Sequence, residues 1–280
     1  MWSDPGQKPT GKGGRSLLHV VLLAAVATLA GNANRPPLAR FGGDPARGVL
    51  VNVRPDARPD EPPDPARPTV VFVHGTNPVP KLVHFTMARR FAESLARRPG
   101  PSFNVLEWDW NAATSDSRSA RVNHANALRQ GGSLADALQA AGLSTPMIHL
   151  IGHSAGGMVA ASAARTLSTR QGWPTAQLTF LDPADCYHEV IIGQLATGLL
   201  AQRVENYWCP GPSGFGKEMH HAGVRNVRVP CPTPYVGVID PRRSGHLFLV
   251  QWYIATAGNA SSPLGFGTSL LPGQALTSGR

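Results

Sequence analysis

The order of its apolar segments is the feature that most constrains how this 280-residue chain can fold. From residue 69 onwards, short runs rich in β-branched residues alternate with longer stretches of helical periodicity. Such alternation is typical of a parallel sheet whose strands are joined by crossover helices. The strand-like runs are TVVFVHG, FNVLEWDW, MIHLIG and AQLTFLD, and the helical stretches between them cover residues 81–98, 120–141 and 155–168.

Weaker signals extend the pattern at both ends. GVLVNVR predicts a first edge strand, and VENYW and VRNVRV predict two short later strands. EVIIGQLATGLLA and GHLFLVQWYIATA have the length and apolar content of helices. We therefore expect one α/β domain over residues 69–258. A proline-rich linker or edge segment (34–68) precedes it and a flexible tail (259–280) follows it.

The first 33 residues have the layout of a secretory signal peptide. A cationic lead precedes an apolar run over residues 17–30, and small residues follow, so that cleavage is expected after Ala33. The run is shorter than the roughly 20 residues that span a bilayer. An uncleaved anchor and a buried N-terminal helix are the alternatives. We expect a protein that is secreted or held in the periplasm or cell envelope.

The charge and the cysteines say less about function. The formal net charge is +9, but no nucleic-acid motif or aromatic-interleaved basic tract accompanies it. The excess of positive charge indicates a solvated basic surface, with attraction to anionic lipid or the cell envelope as the alternative.

The three cysteines allow more than one arrangement. Cys209 and Cys231 flank a glycine- and proline-rich segment and could close a loop, which would leave Cys186 free. A fully reduced chain is the other possibility.

The segment HLIGHSAGG places one serine between two glycines, at the point where a strand pattern gives way to a helix pattern. Serine favours neither element, and glycine is costly in both unless its missing side chain is needed. A strand–turn–helix elbow that projects Ser154 Oγ as a nucleophile explains the pattern, with Gly152 and Gly156 permitting the close approach of a sharp turn. An ordinary glycine-rich turn is the bland alternative.

The segment VFVHGTNP predicts part of an oxyanion hole. A strand that ends in His-Gly can bring a backbone amide close to a reacting carbonyl, because glycine leaves room for it. The expected donors are the N–H groups of Thr76 and, at the start of the helix after the nucleophile, Ala155. His74 precedes the serine in the chain, so we assign it a structural role in holding the loop.

The acid and the base are expected after the serine, because hydrolases with this elbow use the chain order serine, acid, histidine. Asp182 ends the strand LTFLD and is the candidate acid. His246, at the start of the last helix, is the candidate base. The rivals for the acid are Asp185, Glu205 and Asp240, and those for the base are His188, His220 and His221.

These motifs together resemble the α/β-hydrolases, and within them the pancreatic-lipase-like group. The likeness lies in VFVHG, VLEWDW, HLIGHSAGG, LDPAD and the ending GHLFLVQWY, over roughly residues 70–255. The resemblance implies a mostly parallel central sheet with helices on both faces and a small cap segment between acid and histidine. It also implies that the aspartate of the Leu-Asp-Pro-Ala run, Asp182, is the catalytic acid.

We therefore expect a carboxylic ester hydrolase that acts on lipid or other apolar acyl esters. Ser154, Asp182 and His246 would form its triad, and Thr76 and Ala155 its oxyanion hole. No cofactor or metal is expected, because no ligand cluster has the usual spacing. A peptidase or thioesterase on the same triad is one alternative, and a non-catalytic lipid- or partner-binding module is another. The sequence leaves the oligomeric state open.

Overall fold

A computed structural model describes residues 40–44, 48–57, 61–76, 82–100, 102–114, 120–210, 215–231, 244–259 and 261–269. The predicted signal peptide, the rival acid Asp240 and the last eleven residues of the predicted tail lie outside these ranges. In the part of the chain that is described, no helix is both long enough and apolar enough to cross a membrane.

An eight-stranded sheet forms the centre of the molecule, in the order β1-β2-β4-β3-β5-β6-β7-β8. The pairs from β3 to β8 are parallel, whereas β2 is antiparallel to both of its neighbours. The strands are β1 Arg40–Asp44, β2 Gly48–Asn52, β3 Thr69–Val73, β4 Asn104–Asp109, β5 Ile148–His153, β6 Thr175–Leu181, β7 Ala201–Trp208 and β8 Val224–Arg228.

Helices cover both faces of the sheet, as expected for parallel strands joined by crossovers. The helices are α1 Leu82–Ala96, α2 Asn111–Thr114, α3 Ala120–Ala140, α4 Gly156–Gln171, α5 Asp185–Leu195 and α6 Ser244–Ala257, with 3-10 turns at Thr145–Met147 and Gly265–Thr268. Helices α3, α4 and α5 pack on one face, and α1, α6 and the second 3-10 turn pack on the other. This is the α/β-hydrolase fold, and the predicted fold class is confirmed.

The central strands are buried on both faces, which explains why their sequences are continuous apolar runs. Every residue of β3, β5 and β6 is buried. Side chains alternate between two separate clusters: Val71 and Val73 face α3 and α4, and Val70 and Phe72 face α1 and α6. Fully burying one such side chain stabilises the fold by about 1.5–3 kcal/mol.

The N-terminal boundary of the sheet differs from the prediction. The GVLVNVR segment forms β2, which is an interior strand between β1 and β4 and not an edge strand. The domain therefore begins before residue 69, because part of the predicted linker supplies two strands. An antiparallel pairing of β1 and β2 needs only a short connection, so both strands fit before the proline-rich stretch.

The predicted loose tail is also wrong for the residues that the structure describes beyond 259. The ring of Phe266 is 1% exposed and lies edge-on to Phe91 and stacked on His149. The Phe266 amide donates a hydrogen bond to Thr256 Oγ1 over 2.9 Å. Residues 261–269 thus form part of the core on the α1/α6 face. Burial of one large aromatic side chain is enough to hold this glycine- and serine-rich segment against the domain.

The three cysteines have separate surroundings. Cys209 and Cys231 form a disulfide with their Cα atoms 5.9 Å apart, and Cys186 is an exposed thiol on α5. The loop closure between the two cysteines that flank the glycine- and proline-rich segment is therefore present. In the described residues between Asp182 and His246, α5, β7 and β8 belong to the body of the domain. A small cap segment in this stretch stays a prediction.

Candidate active site

Ser154 lies on a sharp turn between β5 and α4. Its φ of 53° is in the left-handed region, which a residue with a side chain enters at a cost of order 1–3 kcal/mol. The turn is held because the Ser154 amide donates to Leu181 O over 3.0 Å and the Gly157 amide donates to Ser154 O. The residue is half-buried at the carboxyl edge of the sheet. Such a strained turn is where a nucleophile elbow places its serine.

The two flanking glycines are there because other backbone atoms occupy the space of a side chain. A Cβ on Gly152 would lie 2.6 Å from Gly156 O. One on Gly156 would lie 2.5 Å from His74 O. Real Cβ atoms do not approach backbone so closely, so each substitution would push the helix or the neighbouring loop away. The close approach that we predicted at these glycines is present.

The loop after β3 passes directly beside Ser154. A Cβ on Gly75 would lie 2.7 Å from Ser154 Cβ and 3.3 Å from Ser154 Oγ. His74 fixes this loop: its Nδ1 lies 2.7 Å from Gly75 O, and its Nε2 accepts a hydrogen bond from the Trp110 amide over 3.2 Å. The indole of Trp110 in turn donates to His74 O over 2.8 Å. His74 therefore holds the loop, in the structural role that the sequence suggested.

The two predicted oxyanion donors each adjoin a residue at the turn: Ala155 follows Ser154 directly, and Thr76 follows Gly75, which packs against Ser154. Ala155 is fully buried and immediately precedes the first residue of α4, and Thr76 follows the close-packed Gly75. In the described ranges, no group accepts a hydrogen bond from the backbone N–H of either residue. Two unused amides beside a strained serine are able to bind a developing oxyanion.

Asp182 is the residue that follows β6, and it too has left-handed backbone, with a φ of 46°. Its carboxylate is fully buried and accepts hydrogen bonds from three backbone amides. Cys209 N and Gly216 N donate to Oδ1 over 3.1 Å each, and Phe215 N donates to Oδ2 over 2.9 Å. These three donors, which we call the amide cradle, hold the carboxylate in one orientation.

The surroundings of Asp182 favour its ionised form. Burial by itself would raise the pKa of this carboxyl. The hydrogen bond and the charge of His246, together with the Phe215 and Cys209 amides, outweigh burial and hold the pKa below its usual value. Asp182 is therefore a carboxylate at neutral pH.

His246 lies at the start of α6, with its Nδ1 2.7 Å from Asp182 Oδ2. An ionised carboxylate can only accept a hydrogen bond, so the Nδ1 atom that faces Asp182 carries a proton. The imidazole packs against the ring of His153, the residue before Ser154, with ring centroids 4.3 Å apart. Phe215 lies edge-on to it at 4.9 Å and is 42% exposed. The predicted acid and base are thus brought together, and the base packs against the residue that precedes the predicted nucleophile.

The rivals that the structure describes have other partners. Glu205 is buried among Arg203, Arg225 and the Tyr207 hydroxyl, and Asp185 pairs with Lys217 over 2.6 Å at the surface.

The rival histidines also have other partners. His188 contacts Pro183 O, and His221 accepts a hydrogen bond from the Gly223 amide. His220 is exposed in the same loop. In the described residues neither Glu205 nor Asp185 is hydrogen-bonded to one of these histidines, so the geometry singles out the Asp182–His246 pair.

Sequence reasoning missed the amide cradle and the aromatic neighbours of His246. Backbone donors have no side-chain signature, and Phe215 lies in a glycine- and proline-rich loop that shows no periodicity. In the described ranges, no group of three or more His, Cys, Asp or Glu residues could hold a metal ion.

Three solved structures illustrate the similarity to known proteins. The chain is similar to an esterase from Pyrobaculum calidifontis (16% identity, 88% of this chain and 93% of that chain, TM-score 0.43). It is also similar to a hormone-sensitive lipase homologue from a metagenome library (14%, 89% and 99%, 0.43). A third is a thermophilic esterase from Thermogutta terrifontis (15%, 75% and 88%, 0.41). With TM-scores this low, the fold assignment rests on the strand order. No family model and no curated protein sequence matches the chain.

Proposed function

We propose that this chain is a serine hydrolase that cleaves carboxylic esters through Ser154, His246 and Asp182. The observation that carries the proposal is the 2.7 Å hydrogen bond between His246 and Asp182 beside the strained Ser154 turn. A buried carboxylate, an oriented imidazole and a serine on an elbow are the three parts that acyl transfer needs.

The proposed reaction begins with attack of Ser154 Oγ on the ester carbonyl. His246 Nε2 takes the serine proton and then gives it to the leaving alcohol, while the carbonyl re-forms as an acyl-enzyme. Water, deprotonated by the same imidazole, releases the acid. Asp182 stays ionised throughout, because it holds the tautomer and stabilises the imidazolium.

The tetrahedral intermediate of each half-reaction carries a negative oxygen. In the proposed mechanism the Thr76 and Ala155 amides bind this oxygen. Their support is the position of Gly75 against Ser154 Oγ and the absence of competing acceptors in the described residues. Removing one such donor costs other enzymes about 10²–10³-fold in kcat.

An apolar acyl group is the substrate that we propose. Phe215 presents a partly exposed ring at the edge of His246, where it would contact the substrate and not water alone. The LDPAD run, whose aspartate the pancreatic-lipase-like resemblance makes the acid, contains the carboxylate that meets His246. Membership of that group and a preference for lipid esters are part of the proposal.

We also propose that the protein works outside the cytoplasm, in the periplasm, the cell envelope or the medium. The disulfide between Cys209 and Cys231 supports this, because disulfides persist mainly in oxidising compartments. N-terminal sequencing of the protein from envelope and culture fractions should give a mature end near Asn34. Intact Met1 on protein from the cytosol would contradict export.

A fluorophosphonate probe and a panel of p-nitrophenyl esters test the reaction. We expect covalent labelling of the wild-type protein, turnover of esters, and loss of both in Ser154→Ala by about 10⁴-fold or more. Ser162→Ala is the matched control, since Ser162 lies on α4 and bonds Leu128 O. Thioester and peptide substrates in the panel test the alternative leaving groups. A wild-type protein that binds the probe reversibly without labelling would instead be a binding module.

A further inference from the structure

The segment that holds Asp182 is tied down by a covalent bond. Cys209 follows β7 directly and is 1% exposed, and its amide is one of the three cradle donors. Its sulfur is bonded to Cys231, 22 residues further on and just beyond β8. The same residue thus contacts the candidate acid through its backbone and the end of the neighbouring strand through its side chain.

The cradle tolerates little movement. A Cβ on Gly216 would lie 2.7 Å from Asp182 Oδ1 and 3.1 Å from Pro183 O, so this part of the loop lies directly on the carboxylate. Amide donors are useful to a buried carboxylate only at hydrogen-bond distance, and an unpaired buried charge is costly. Asp182 in addition keeps a left-handed φ that its surroundings must maintain.

We infer that the Cys209–Cys231 disulfide is a positioning element for Asp182, which keeps the amide cradle closed and so keeps His246 in its working orientation. The inference rests on the proposed function and deepens it, because it makes hydrolysis depend on the redox state of one bond. Cys209 and Cys231 act through Asp182 and do not touch the substrate.

Reduction opens the bridge by ordinary thiol–disulfide exchange. A dithiol reductant attacks one sulfur, two electrons enter the S–S bond, and two protons complete the Cys209 and Cys231 thiols. The reductant leaves as its own cyclic disulfide. The β7–β8 pairing and the Val229 amide bond to Trp208 O remain, so the fold is expected to survive while the loop gains freedom.

The first experiment compares oxidised and dithiothreitol-reduced wild-type protein with Cys209→Ser/Cys231→Ser, using one short-chain p-nitrophenyl ester well below the melting temperature. We expect reduction and the double substitution each to lower kcat by about tenfold to a hundredfold with little change in KM, since misplacement of about 1 Å costs that much. Cys186→Ser, which removes the exposed thiol of α5, should respond to the reductant as wild type does.

A purely structural disulfide predicts another result. It would lower the melting temperature of the reduced protein and leave kcat and the rate of fluorophosphonate labelling unchanged, which would overturn the inference. If the double variant does not fold, the test rests on reduced wild-type protein in which a thiol assay confirms that Cys209 and Cys231 are both free. If the disulfide resists the reductant, the test rests on the activity of the double variant.

A second background tests whether the disulfide acts through Asp182. In Asp182→Asn, we expect reduction to change the residual labelling rate by less than about twofold, because groups that act as a unit are not additive. A loss as large as in wild type would mean that the bridge acts elsewhere, contrary to the inference.

Gly216→Ala, which crowds the cradle with the disulfide intact, should lower kcat as reduction does. Gly193→Ala on α5, where a Cβ meets nothing within 4 Å, is its control.

Failure of the proposed function would give a different result from failure of the positioning role. If the proposed function is wrong, oxidised wild-type protein will neither react with the probe nor hydrolyse any ester. Equal activity of the oxidised and reduced proteins would reject only the positioning role.

Discussion

His246 Nδ1 lies 2.7 Å from Asp182 Oδ2, although 64 residues separate the two in the chain. The bond joins the start of α6 to the end of β6, and three amides hold the carboxylate on its other sides. The orientation of the imidazole is therefore fixed in two ways. A carboxylate that cannot turn holds Nδ1, and the rings of His153 and Phe215 pack against the imidazole ring.

Asp182→Asn should lower kcat by about 10⁴-fold with the fold intact, because an amide in this position favours the wrong imidazole tautomer. His246→Ala should cost as much as Ser154→Ala, since the three groups act together. Esterase assays with circular dichroism of each variant provide the measurement. Asp185→Asn, at an exposed carboxylate paired with Lys217, is the control and should stay near wild type. A wild-type rate for Asp182→Asn would exclude it as the acid.

Gly75→Ala should lower kcat by about 10²-fold or more, because its methyl group would meet Ser154 at 2.7 Å and displace the loop that carries the Thr76 amide. The melting temperature should fall only modestly. Gly132→Ala, where a Cβ has nothing within 4 Å, is the matched control and should leave kcat unchanged. If Gly75→Ala keeps full activity, the loop is not part of the oxyanion hole.

Glu107 should make the protein less stable as the pH rises. Its carboxyl is fully buried on β4 opposite Val51 and Phe72, and neither oxygen has a hydrogen-bond partner among the described residues. Burial, with a smaller effect of the Asp109 charge, raises the pKa of Glu107 well above its ordinary value. At a pH between the unfolded and the folded pKa, the folded protein therefore keeps a proton on Glu107 that the unfolded chain has released.

The sign follows from this proton. The stabilisation is fully present below about pH 4.3, the ordinary pKa of an unfolded glutamate, and is lost as the pH rises towards the folded pKa. The free energy of unfolding of Glu107→Gln should thus match that of wild type near pH 4 and exceed it at pH 8, by about 1.4 kcal/mol for each pH unit above the unfolded pKa until the folded pKa is reached. Denaturant melts across this range measure the difference. The exposed Glu189→Gln on α5 should show no such trend, and equal curves for Glu107→Gln and wild type would refute the assignment.

Phe266→Ala should destabilise the fold by about 3–5 kcal/mol, because it empties a site enclosed by Phe91, Phe103 and His149. Thermal or urea melts give the value. Trp173→Ala removes a ring of larger size that is 66% exposed, and it should change stability by less than about 0.5 kcal/mol. A Phe266→Ala variant as stable as wild type would mean that residues 261–269 do not belong to the core.

The fold class was predictable from the sequence because its signals are local and repeated. Each buried parallel strand is a short apolar run, and each crossover helix has its own periodicity, so the order of elements follows from neighbouring residues. The position of β2 was not predictable in the same way. Whether a strand is at the edge or inside depends on which other strand pairs with it, and β1, RFGGD, has little strand character of its own.

The sequence by itself determined the turn at Ser154, because Gly152, Gly156 and the strand before them fix an elbow within a few residues. It also narrowed the acid and the base to a few positions. Only the tertiary structure decided that Asp182 meets His246, that the Cys209, Phe215 and Gly216 amides enclose the carboxylate, and that Phe266 and Glu107 are buried. The reason is physical: backbone donors look alike at every position, and the burial of a side chain depends on elements that are distant in the chain and become neighbours only when the sheet is assembled.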